Sequence, residues 1–273
     1  MRFCPASSAF PGSRHWEAVE LAKKVPDPYL GSFDMAHMQL CPQHPSKVSE
    51  ELIDRCQDIS PNTTFRLHAS VRVSGAGDHQ IWDASNARDP AALDYWNRVG
   101  QLSRHSGAAV YSLHAGRTQN ADLKAVRDNV LWLQDLMGFE VALEGLYPEK
   151  EGAWLLSSWD DYEWLLNRSD LFFAIDLSHL NILARSTGEI NDELVRAMLS
   201  SEKCLEIHIS GNNGVRDSHE VLRKGEWWFE LLNDANRNAV VFNESTILSP
   251  NQLVKMKLLE RNNEQRSSKS GIY

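Results

Sequence analysis

The chain has 273 residues, 42% of them hydrophobic, and a formal net charge of -9. That supplies a large core, and one α/β barrel commonly takes about this length. A chain this acidic, with no run of like charge, argues against broad nonspecific binding to nucleic acid, which needs clustered Lys and Arg. No apolar run reaches the ~20 residues of a membrane span, and nothing near the start reads as a signal peptide. Cys4, Cys41, Cys56 and Cys204 form no Cys-x-x-Cys pair, so reduced, mostly core thiols and a cytoplasmic setting are expected.

Short apolar runs recur along the chain, at 2–5, 31–40, 64–69, 108–114, 139–145, 171–177, 204–210 and 239–245. Nearly continuous Val, Ile, Leu and Phe fits strands buried on both faces. Helical patterns lie between them. Residues 119–137 put Leu123, Val126, Val130, Leu133 and Leu136 at helical spacing. Residues 158–167 open on Ser158 as an N-cap with acids in the first turn. Residues 192–200 and 226–235 read as helices too, and 251–261 as a closing helix. Eight strands alternating with helices imply an α/β fold, a single-domain (β/α)8 TIM barrel over 1–261. The polar tail 262–273 has little to bury and is expected to be loose. Residues 70–97 are long for a connection, so they form either a lid or a peripheral βα excursion.

The polar residues fall where barrel chemistry sits. His68 ends the third strand, His114 the fourth and Glu144 the fifth. Asp176 and His179 end the sixth, in AIDLSH. His208 ends the seventh, with Asp217 and His219 on its loop, and Glu244 ends the eighth. A barrel gathers its C-terminal strand ends round one mouth, so these nine groups converge. Taken singly, His68 or His114 reads first as a core histidine, Asp176 as a helix cap and Glu244 as a partner for an arginine. Together they read as a metal site. Imidazole with carboxylate suits zinc, iron or manganese rather than calcium, and Glu144 and Glu244 can each bridge two ions. Arg117 and Arg216 are candidate substrate clamps, and ordinary surface arginines otherwise. His37, in FDMAH, is a further candidate pocket residue. His15, His44, His79 and His105 receive no role.

The order His68, His114, Glu144, Asp176-x-x-His179, His208, Asp217-x-His219, Glu244 resembles the ligand set of endonuclease IV, in the xylose isomerase-like TIM barrel superfamily. The resemblance runs from about Thr64 to Thr246, and DLSH at 176–179 and RDSHE at 216–220 are its most specific pieces. It implies three zinc ions, with His68 and His114 on one, His179 and the Asp217/His219 pair on others, and Asp176 and His208 completing the shells. Glu144 and Glu244 would bridge ions, and the reaction implied is phosphodiester hydrolysis at abasic sites. The chain departs from that pattern after His208, where Ile-Ser-Gly replaces Asn-Asp-Ser, and it lacks arginine-rich recognition loops. Those departures point away from DNA and toward a smaller phosphate ester or a peptide.

The same superfamily contains sugar isomerases and epimerases with one ion held by two glutamates, an aspartate and a histidine. Glu144, Asp176, His208 and Glu244 match that smaller set, with His179 and Arg216 as substrate contacts and Glu144 or Glu244 moving a proton. It also contains multinuclear iron enzymes that oxidise peptide cysteines, whose seventh strand resembles HISG. A non-catalytic binding barrel is the reading from a different class, with Trp82, Trp96, Trp132, Trp154, Trp159, Trp164 and the Trp227–Trp228 pair as its surface. The sequence therefore predicts two or three divalent ions and a small-molecule, nucleic-acid or peptide substrate.

Overall fold

The computed structural model describes residues 2–43, 46–76, 81–149, 153–223 and 225–247. The expected closing helix at 251–261 and the tail at 262–273 lie outside these residues, as do His44 and His79.

Eight parallel strands form the barrel. They are β1 (Phe3–Pro5), β2 (His37–Leu40), β3 (Thr64–Leu67), β4 (Val110–His114), β5 (Glu140–Glu144), β6 (Phe173–Asp176), β7 (Cys204–Ile209) and β8 (Val240–Asn243). Strands β4 to β8 pair in sequence and β8 pairs with β1, while β2 pairs with β3. Two single bridges complete the ring, Ala6 to Gln39 between β1 and β2, and His68 to Ser112 between β3 and β4.

Among the described residues, seven helices wrap this ring: α1 (His15–Ala22), α2 (Glu50–Ile59), α3 (Leu93–His105), α4 (Leu123–Met137), α5 (Trp159–Asn167), α6 (Leu177–Thr187) and α7 (Asp192–Ser200). Their starts follow from local capping. Ser158 accepts from the Asp161 amide, as its sequence implies, and Asp122 caps α4 from the Ala125 amide. The expected helix at 226–235 is instead a 3-10 turn over Phe229–Asp234.

Alternation along each strand sorts the core into two parts. Val141 and Leu143 face the helices in the main core, while Ala142 joins Val110 and Ala174 in a small cluster inside the barrel. Within 70–97, the described residues 70–76 and 81–97 pack on the barrel between β3 and β4. Trp82, Ala84, Ala87, Ala92, Tyr95 and Trp96 are buried, and the Trp96 indole donates to the Ala87 carbonyl. Trp96 and Trp228 are fully enclosed and Trp82 is buried as well, so these three pack rather than form a contact surface. All four cysteines are free and buried. No helix among the described residues is long and apolar enough to cross a membrane.

Candidate metal centre at the C-terminal mouth

Register brings the strand ends to one level. His114 lies opposite Glu144 across β4 and β5, and Asp176 opposite His208 across β6 and β7. Glu144 stands at the centre. Its Oε2 faces His68 Nε2 at 3.6 Å and His114 Nε2 at 3.7 Å. Its Oε1 faces His208 Nδ1 at 3.3 Å and His179 Nδ1 at 3.7 Å. One carboxylate thus meets four imidazoles.

The other ligand candidates close around it. Asp176 ends β6 and also caps α6, its Oδ1 accepting from the amides of Ser178 and His179. Its second oxygen is left for the site, 3.5 Å from His179 Nε2. His179 therefore sits on the first turn of α6 rather than on a strand end, and the helix aims its ring back over the barrel. Asp217 Oδ2 lies 3.4 Å from His179 Nε2 and 3.2 Å from His219 Nε2. The His219 ring also lies 3.4 Å from Glu244 Oε2, and its backbone has a φ of 45°. That left-handed conformation costs a histidine about 1–2 kcal/mol, and it turns the ring inward. The loop is held by paired backbone bonds between Gly211 and Glu220. A Cβ on Gly211 would meet the Val221 carbonyl oxygen at 2.4 Å, so the close approach requires glycine.

Burial sets the charges. Desolvation lowers the His68 pKa to about 3 and lowers that of His114, leaving both as neutral imidazoles, the form that binds metal. Burial alone would raise Glu144, yet His208, His68 and His114 hold it well below the usual carboxylate range. Burial opposes charge on His208 and His179, but Glu144 for the first and Asp176 for the second lead a set of anions that raise them well above 6.5. Desolvation raises Glu244 to about 7.

The donor set fits divalent cations. Glu144 Oε2, Glu244 Oε1, Asp217 Oδ1 and His208 Nδ1 are buried with no hydrogen-bond partner. Such atoms are costly unless something pairs with them. His68, Glu144 and His208 bring ligand atoms within 4.8 Å of one another, and so do Glu144, Asp176 and His179. Two ligands at about 2.1 Å from one tetrahedral ion stand about 3.4 Å apart. The separations around Glu144 match that edge better than they match hydrogen bonds.

The structure brings all nine predicted ligands together, and treats the predicted substrate residues differently. Arg117 is exposed near the mouth, its guanidinium 4.2 Å from the Trp154 ring centroid. Arg216 is exposed on the loop that carries Asp217. His37 is a correction. A strand over 31–40 would place it toward the mouth, but Asp27 and Gly31 bond to each other in a turn and the Asp34 side chain accepts from the Ala36 amide. The strand consequently starts at His37, which lines a cavity of about 580 Å³ at the opposite mouth with Cys4, Asp34 and Arg237. Sequence reading missed Tyr147, whose ring lies 5.0 Å from that of His179, and the buried Gln39, Arg66 and Glu206. The signal for the last two was present: each stands two residues before a mouth histidine and so shares its face.

No protein-family model matches the sequence, and a search among curated proteins returns no match. Solved structures do match. A D-tagatose 3-epimerase-like protein superposes with a TM-score of 0.60 at 13% identity, covering 99% of this chain and 100% of its own. An AP endonuclease of family 2 from Brucella melitensis gives 0.61 at 16% identity over 91% and 94%. Endonuclease IV from Thermus thermophilus gives 0.54 at 15% identity over 97% and 100%. The fold is a TIM barrel like those of these proteins and of a xylose isomerase domain protein from Alicyclobacillus acidocaldarius, at 14% identity and a TM-score of 0.58 over 92% of this chain and 91% of its own. Among barrels of this kind an IOLI protein carries a zinc atom, at 14% identity and a TM-score of 0.58 over 89% of this chain and 88% of its own. Proteins of this fold include both endonucleases and epimerases, so the chemistry has to be argued from the site.

Proposed function

We propose that this chain is a metal-dependent hydrolase of a phosphate ester, working with two or three divalent ions. Zinc is favoured, with iron and manganese as alternatives. The observation that carries the reading is Glu144, one buried carboxylate whose two oxygens face separate pairs of imidazoles. His68 and His114 would hold one ion with Glu144 Oε2. Asp176, His179 and His208 would hold another with Oε1, and Asp217, His219 and Glu244 supply a neighbouring set. Divalent ions in such a site offset charge building on a phosphoryl group and acidify a bound water.

The chain's own groups do the rest. Glu144 sets the spacing of the cluster. Burial raises Glu244 in the metal-free site, and a bound cation would relieve the cost of its buried charge. Arg117 and Arg216 present planar guanidinium donors suited to two oxygens of one phosphate. A sugar isomerase needs only Glu144, Asp176, His208 and Glu244. It would leave His68, His114, Asp217 and His219 with no task, although His68 and His114 lie against Glu144, His219 lies against Glu244, and Asp217 lies against His179 and His219. The net charge of -9 favours a small ester over duplex DNA.

The test counts metal per chain by mass spectrometry, then measures nitrophenol release from bis(p-nitrophenyl) phosphate and cleavage of an abasic duplex. Two or three zinc ions and zinc-dependent ester cleavage are expected. A single manganese with ketose epimerisation would replace this reading with an isomerase. Iron with oxygen uptake on a cysteine peptide would replace it with an oxidase. No metal, before or after titration, would remove the ligand assignment altogether.

A further inference from the structure

A second polar layer lies one step below the mouth, inside the barrel. Arg66 stands two residues before His68, Glu206 two before His208, and Gln39 lies across from them on β2. Glu206 and Gln39 are fully buried and Arg66 is 8% exposed. Barrel interiors are filled mainly by branched apolar side chains, and burying an ion pair there often costs more than an apolar pair of the same volume. Stability alone therefore does not explain these charges.

Their geometry does. Arg66 Nη1 donates to Glu206 Oε1 at 2.8 Å. The other oxygen, Oε2, lies 3.2 Å from His208 Nε2. Glu206 is thus held from one side by Arg66 and meets the back of the His208 ring on the other. The front nitrogen, Nδ1, faces Glu144 Oε1 at 3.3 Å and Glu244 Oε1 at 3.9 Å, with no hydrogen-bond partner.

We propose that Glu206 is a positioning residue that, clamped by Arg66, keeps a proton on His208 Nε2 and so presents Nδ1 as a metal ligand. The proposal rests on the metal reading of the mouth. A histidine ligand is fixed in ring angle and tautomer by what its other nitrogen donates to, and a carboxylate there also makes the ring a stronger donor. Gln39 competes for the same nitrogen, with its amide nitrogen 3.0 Å from Nε2. An amide donor asks Nε2 to be bare, whereas a carboxylate asks it to carry the proton. The carboxylate prevails, because a charge-assisted hydrogen bond is roughly twice as strong as a neutral one. Gln39 Nε2 also donates to Glu206 Oε2 at 3.4 Å, so the amide braces the carboxylate that takes the His208 proton. Arg66 has its own part: by holding Glu206 Oε1 it stops the carboxylate from swinging toward the ions, where it would become a ligand itself.

The test uses the full chain and zinc as the probe. Zinc affinity is measured by competition with a chromophoric chelator for the wild type, Glu206→Gln and the charge-balanced double variant Arg66→Met/Glu206→Leu. The double variant keeps the experiment readable if an unpaired Arg66 prevents Glu206→Gln from folding. Long-range nitrogen NMR of the zinc-loaded wild type reads the His208 tautomer directly, which a merely structural ion pair would not determine. Expected are a proton on Nε2 in the wild type and zinc binding at one position weakened roughly 10- to 100-fold in the variants. Folded variants that bind zinc within twofold of the wild type, or a proton on Nδ1, would overturn the proposal and leave the metal centre standing. A wild type that binds no zinc would instead overturn the reading on which it rests.

Discussion

Replacing Glu144 by glutamine tests the centre at the point where its parts meet. The change keeps the shape and removes one charge. Each oxygen of Glu144 serves a separate pair of imidazoles, so one substitution takes a ligand from two ion positions at once. Loss of a mere supporting partner of a metal ligand costs 10–100-fold in affinity, so loss of a ligand should cost at least about 100-fold at each position. That is about 2.7 kcal/mol per ion. A second effect follows from burial. Glu144 is 1% exposed, and without its charge His208 and His179 lose a counter-ion that holds their pKa values up. Metal counted per chain after gel filtration should fall by at least one ion, with weaker chelator competition for what remains. His114→Gln, which touches only Oε2, should weaken one position and spare the other. If Glu144→Gln retains the full metal count at wild-type affinity, the carboxylate is not shared and the construction of the site around it is wrong.

Chelation of the metal-loaded protein should lower the melting temperature. At a free metal concentration 1,000 times Kd the ion contributes about 4 kcal/mol, or roughly 8 °C for a domain of this size, and scanning calorimetry with and without chelator would read it. Asp176→Asn should keep α6 intact, because an amide oxygen still accepts from the Ser178 and His179 amides, yet lose metal; Asp176→Ala should add about 1 kcal/mol of destabilisation in urea titrations. In metal-free protein the pKa of His219 is raised to about 10 by Asp217 and Glu244 against the cost of burial. Its folded value stands above the unfolded 6.5, so the stabilisation is complete below pH 6.5 and is lost as pH rises through about 10. The urea midpoints of wild type and His219→Gln should differ most near pH 6 and converge above pH 10. His37→Ala, at the opposite mouth, should leave metal content unchanged; a loss of metal there would show that the assignment of the two barrel ends is mistaken.

The mouth residues were legible because parallel strands force the matter. A side chain within one residue of a strand's C-terminal end has one mouth to reach, so His68, His114, Glu144, His208 and Glu244 declared themselves by residue type and place. His179 was found for a partly different reason than assumed: three residues after a capping aspartate, the first turn of α6 returns it to the same opening. His37 was misplaced because an apolar run of ten was read as strand throughout. The turn at Asp27–Gly31 and the Asp34 cap are set by backbone bonds that hydrophobicity does not report. Arg66 and Glu206 were passed over because charge inside a strand usually signals a solvated face. Their partnership spans 140 residues, which no local pattern can display.

The ring of strands is unevenly sewn. Six strands share ladders, whereas β2 and β3 form a pair joined to the rest by one bridge on each side. Such a pair has fewer backbone bonds holding it to its neighbours, so its amides should exchange faster than those of the laddered strands. The pair leads into His68, which makes the bridge to Ser112 on β4 and faces Glu144 on β5. An ion gripped by both would rivet the pair in place from within. Loading the centre would then slow exchange across β2 and β3 far more than across β5 to β8, turning the weakest stitching of the barrel into a gauge of its occupancy.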